Sequence, residues 1–159
     1  MYKLKSLVLE DDYKLIGIHT SLEAYKLAYL INKHFSISFE RATYDLDMTY
    51  KDSFAHFPLF NYYDQNWDCD MYLIANKFSD DVPNLKSSGS LFDEAQTETQ
   101  TFYLFSSMKH IDYFIKVEDE LDIFDSQHIL KTINSIDRIK KAYLINNKSI
   151  KNPEYLIFK

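Results

Sequence analysis

Glycine is almost missing from this chain. Only Gly17 and Gly89 occur among 159 residues, so few positions hold a positive φ cheaply and a glycine-rich phosphate cradle has no sequence to form it. Proline is nearly as rare, at Pro58, Pro83 and Pro153. The single Cys69 excludes an intrachain disulfide. It lies between Asp68 and Asp70, which disfavour a thiolate, so it is a poor nucleophile. No apolar run reaches the roughly 20 residues of a membrane span, and no charged-then-apolar leader opens the chain. These absences point to a cytoplasmic protein without a membrane partner. Arginine is scarce too: 16 of the 18 basic residues are lysine, which lacks the bidentate fork suited to phosphate.

What the chain has in quantity is aromatic surface. Thirteen Tyr, twelve Phe and one Trp contribute to a hydrophobic content of 46%, enough for one domain over 1–159 with a sizeable core. The formal charge of -6 is uneven. Residues 1–130 hold 11 basic against 22 acidic side chains, and residues 131–159 hold 7 against 2.

Periodicity predicts a strand over 13–20, a helix over 21–35 and a second strand over 36–45. Thr20 and Glu23 have the spacing of a reciprocal capping box at the helix start. Strands are expected over 52–62 and 68–78, joined by a turn at Asp64-Gln65-Asn66, with Pro58 at an edge or bulge. An exposed loop is expected at about 79–100, followed by strands over 101–105 and 111–118. In the latter, Ile111, Tyr113, Ile115 and Val117 alternate with Asp112, Lys116 and Glu118, which predicts one apolar face. A helix over 122–136 and a strand over 138–146 complete a second strand-helix-strand unit. The implied fold class is α+β: a two-layer sandwich whose mostly antiparallel or mixed sheet carries two helices on one face, ferredoxin-like with a β-meander insertion.

Function is far less legible. His19 ends a strand just before a helix N-terminus, so His19, Thr20 and Glu23 are the candidate ligand-binding residues, most simply for an anion. The capping box would already satisfy those amides, which favours an unoccupied site. Asp64 to Asp70 offers oxygen at every second position, as a calcium loop does. Cys69 stands at that loop's glycine and Ala75 at its bidentate Glu, so a polar hairpin turn is preferred. Asp45 and Asp47 resemble a carboxylate pair, but at a strand's end solvation is the usual explanation, and the five histidines fall in no metal-ligand spacing. No catalytic residue, metal or cofactor is assigned. Lys140, Lys141, Lys148 and Lys151, with Tyr143 and Tyr155, form a modest basic-aromatic patch for nucleic acid, and a solvated edge is the simpler explanation.

The phrases LIGIHTSLEAYKLAYLIN (Leu15 to Asn32) and IDYFIKV (Ile111 to Val117) resemble the IPExxxVDY family of Bacteroidota. Phe105-Ser106-Ser107 stands where that family's I-P-E would be. The family carries no assigned activity, so the resemblance implies a bacterial cytosolic protein and supplies no site residues. The expected function is non-catalytic: a protein partner or a small ligand. The alternatives are an enzyme whose Tyr, His and Asp meet only in the fold, and association with RNA.

Overall fold

A computed structural model of the protein describes residues 13–83, 97–120 and 122–158. The β-branched run at its start forms β1 (Lys14–Thr20), which is buried on both faces: Ile16 and Ile18 enter one core and Leu15 the other. Gly17 lies beneath two isoleucines, and a Cβ there would stand 2.9 Å from Ile145 Cδ1 and 3.2 Å from Ile111 Cδ1. The amphipathic stretch that follows forms α1 (Ala24–Phe35), burying Leu27, Ala28 and Ile31 and presenting Tyr25 and Tyr29 to solvent.

The helix starts three residues later than expected, and the capping box does not form. Glu23 is the N-cap residue, yet its side chain accepts no amide. Thr20 serves the sheet instead. Its amide donates to Asp112 Oδ2 at 2.9 Å, and its hydroxyl donates to the Arg138 carbonyl at 2.8 Å while accepting from the Leu22 amide at 3.2 Å. A hydroxyl committed to both a strand end and a tight turn is not free to cap a helix.

Only Glu40–Arg41, β2, is strand within the expected span 36–45. Ser36 closes α1 in the left-handed region (φ 53°), and the Asn32 carboxamide grips the Phe39 backbone at both ends, at 2.7 and 3.1 Å. Those two bonds bend the link where extension was expected. The expected strand over 52–62 divides at Pro58. Ser53–Phe57, β4, pairs with Leu46–Tyr50, β3, in its own hairpin, whereas Leu59–Asp64, β5, joins the main sheet beside Cys69–Ala75, β6. Proline, with no N–H to give a ladder, fits this transfer between sheets.

The expected loop over 79–100 is strand at both ends: Lys77–Pro83, β7, pairs with Thr97–Tyr103, β8. Residues 84–96 of that loop lie outside the described residues. The last elements are β9 (Tyr113–Glu118), α2 (Ser126–Ser135) and β10 (Ile139–Ile145). The turn before α2 is organised by Asp119, whose carboxylate accepts the amides of Ile123 and Phe124 at 3.0 and 2.9 Å, so the helix begins at Ser126 and not at 122. Asp125 caps it by accepting the His128 amide.

The main sheet runs β10-β1-β9-β6-β5-β2, with every neighbouring pair antiparallel. Its four strands β10-β1-β9-β6, with α1 following β1 and α2 joining β9 to β10, have the order of a split β-α-β fold; β2–β5 and β7–β8 are inserted. The protein is therefore α+β, with both helices on one face. Leu27, Ile31 and Ile133 pack there on Ile16, Ile18, Leu73 and Ile115, each such side chain contributing about 1.5–3 kcal/mol of burial.

The other face is not open. Phe57, Leu104, Phe105, Ile150, Leu156 and Phe158 cover Leu15, Ile74 and Phe114. This cover corrects the reading of β9. Lys116 was expected on a wet face, yet it is 6% exposed. Its ammonium donates to the Leu156 carbonyl at 2.8 Å and to Glu118 at 3.0 Å, among the rings of Tyr13, Tyr72 and Phe158.

Candidate ligand cavity between the helices

On the helix face, a cavity of about 270 Å³ opens between the end of α1 and the start of α2. Ile31, Phe35 and Ser36 form one side, and His128, Ile129 and Ile133 the other. Tyr62 of β5, Met71 of β6 and Ile115 of β9 floor it, while Phe39 and Phe124 come from the links around the helices. The β5–β6 turn closes one end with Asp64, Asn66 and Trp67. The walls are mostly apolar and ringed by aromatics: Trp67 meets Phe124 edge-on at 5.7 Å, and Phe39 meets Tyr62 at 6.1 Å.

The polar end is built by the turn. Asp64 is buried, and its Oδ1 accepts the amides of Asn66 at 2.8 Å and Trp67 at 3.0 Å. That pairing turns the chain without glycine and aims the indole of Trp67 inward. Asp68, in the left-handed region, accepts a hydrogen bond from the Tyr63 hydroxyl. Burial, with Asp64 next in effect, raises the Tyr62 phenol above its ordinary pKa, so it stays a neutral hydroxyl at physiological pH. Burial also pushes the Cys69 thiol up to about 12, reinforced by Asp64, which leaves it unreactive.

Sequence reasoning missed this site because its walls come from residues far apart in the chain. One signal was available: the only tryptophan stands in a polar turn, where a large ring has no reason to be unless it packs inward.

The residues singled out from sequence lie elsewhere. His19 alternates with Ile18 and so faces away from α1, not toward its N-terminus. It shares a 3.0 Å hydrogen bond with the Tyr143 hydroxyl and stacks on His110 at 5.5 Å. Lys141 pairs with His19 across β1 and β10, its ammonium 5.3 Å from the Tyr143 ring, so the fold joins one residue of each candidate set. Thr20 and Glu23 share no hydrogen bond. Lys140, Lys148 and Lys151 are exposed on β10 and the turns after it. Asp45 pairs with Arg41 at 2.6 Å and Asp47 contacts the His56 ring at 2.6 Å, so the two carboxylates have separate partners. Among the described residues no group of three or more His, Cys, Asp and Glu side chains is placed to hold a metal ion, and no helix is long and apolar enough to cross a membrane.

Fold and cavity together define an antiparallel α+β protein with an aromatic-lined cleft beneath its helix layer. No family model, curated protein or solved structure matches the chain.

Proposed function

We propose that this protein binds a small, largely apolar molecule in the cleft between α1 and α2. The observation that carries the reading is the cavity itself: about 270 Å³, walled by Phe35, Phe39, Trp67 and Phe124, with a single buried carboxylate at one end. Binding sites for small molecules have this make-up, an apolar enclosure with a few convergent polar groups. A void of about 150 Å³ suffices for benzene, so this one suits a ring bearing a short chain. The exposed aromatics are scattered, with Tyr25 and Tyr29 on α1, Tyr44 before β3, Phe54 on β4 and Tyr63 on β5, which favours a small ligand over a protein partner. The exposed lysines 140, 141, 148 and 151 are consistent with a solvated edge. We also place the chain, on Leu15 to Asn32 and Ile111 to Val117, in the IPExxxVDY family. Cytosolic residence is supported by the buried, unpaired Cys69.

Indole tests the reading. At tenfold above its Kd, linkage adds about 1.4 kcal/mol and raises Tm by roughly 3–6 °C. Ile129→Trp, which fills the mouth from a half-exposed position, removes that rise. An equal rise in the variant, or none in the native chain, contradicts it.

A further inference from the structure

On the reading that this cleft holds a ligand, we infer that its occupant carries a primary or secondary ammonium group, which sits at Asp64 among the aromatic rings. Asp64 is 7% exposed and, among the described residues, is the only carboxylate lining the cavity. Its Oδ1 is fully used by the amides of Asn66 and Trp67, and none of the described hydrogen bonds reaches Oδ2. Asp64 lines the cavity and its Oδ2 is not sealed from solvent, so it can take a donor from whatever fills the space beside the residue. A neutral apolar occupant would strip water from Oδ2 and give nothing back, and an anionic one would meet a buried like charge.

Among the described residues no lysine or arginine lines the cavity, and His128, the one described lining group able to carry positive charge, is exposed at the mouth. Lys14 lies 5.9 Å from the Phe124 ring centre but is engaged by Asp119, Asp122 and the Phe124 carbonyl. Among the described residues the site therefore has no cationic side chain facing Asp64. Beyond the effect of burial, Asp64, Asp119, Asp70 and Asp68 all help to hold up the Cys69 thiol, the mark of a negative potential in this corner. The rings of Tyr62, Trp67 and Phe124 line the same cavity as the carboxylate and offer the cation–π attraction that favours an organic ammonium over a metal ion. The apolar remainder of the cleft takes the ligand's ring or chain.

Trp67 is the only tryptophan and so reports occupancy directly. Three probes of nearly equal size separate the alternatives by fluorescence titration: 2-phenylethylamine, 2-phenylethanol and phenylacetate. The expected order has the amine at least about tenfold tighter than the alcohol and the carboxylate weakest. Asp64→Asn keeps an oxygen for the Asn66 and Trp67 amides, so the turn survives. In that variant the amine loses at least about fivefold, while the alcohol changes by less than about twofold. An alcohol or carboxylate that equals the amine in the native chain overturns the ammonium assignment and leaves the cleft as a ligand site. An unchanged amine-to-alcohol ratio in Asp64→Asn overturns it as well. If none of the three binds, the cleft is not a site for ligands of this size and both readings fall.

Discussion

Asn76 shows how much of this structure rests on single polar side chains. It is fully buried at the end of β6, where its carboxamide donates to the carbonyls of Met108 and Ile111 and accepts the amide of Phe105, at 2.8–3.0 Å. Asn76→Ala leaves those three backbone groups without that partner, and chemical denaturation is expected to record a loss of about 3–5 kcal/mol; a loss under about 1 kcal/mol would show that water replaces the carboxamide. Asp119 makes stability depend on pH in the acid range. Burial opposes its charge, but the amides of Phe124 and Ile123 and the Lys14 ammonium outweigh that and hold its pKa below the ordinary value. A carboxyl lowered in the folded state contributes stability above its unfolded pKa of about 3.9 and loses it as pH falls through the folded value. Asp119→Asn is therefore expected to be less stable than the native chain at pH 7, with the two stabilities converging as the pH falls through the lowered folded value.

At the scale of elements, the α1 entrance makes a sharp contrast. Because Thr20 holds Leu22 and Arg138 while Glu23 caps nothing, Thr20→Val is expected to cost about 1–2 kcal/mol and Glu23→Ala less than about 0.5 kcal/mol by thermal denaturation. A capping box would make the two losses similar. Both helices dock near their ends by the same device, Asn32 clasping the Phe39 backbone and Asn134 that of Ala142. The helices, β1, β6, β9 and β10 were legible because each buries a continuous or periodic apolar set. The β3–β4 hairpin was not, since Lys51-Asp52 turns it without glycine and Pro58 abuts it. The inner part of the β7–β8 ribbon falls within the expected loop over 79–100 because Ser79, Asp80, Thr99 and Gln100 give it no apolar alternation. Of the cavity, the sequence showed only the turn around Asp64, read as punctuation, because Ile31, Phe39, Trp67 and Ile129 are neighbours in space alone.

Across the whole molecule, one sheet separates two unlike covers. Helices on one face leave a cleft, whereas the hairpins and C-terminal segment on the other pack over Lys116. Lys116→Met keeps a long side chain among Tyr13, Tyr72 and Phe158 but abandons the Leu156 carbonyl. Faster hydrogen exchange at the Tyr155 and Ile157 amides is expected in that variant, with β9 unchanged; exchange as slow as in the native chain would mean that apolar packing alone holds the segment. The cleft is the central functional claim, and isoleucine δ1-methyl NMR during a 2-phenylethylamine titration tests it most directly. The account predicts shifts at Ile31, Ile115, Ile129 and Ile133, which line the cleft, with Ile74, Ile111 and Ile150 on the opposite face unmoved. Shifts confined to the second set, or no shifts at saturating probe, would contradict it.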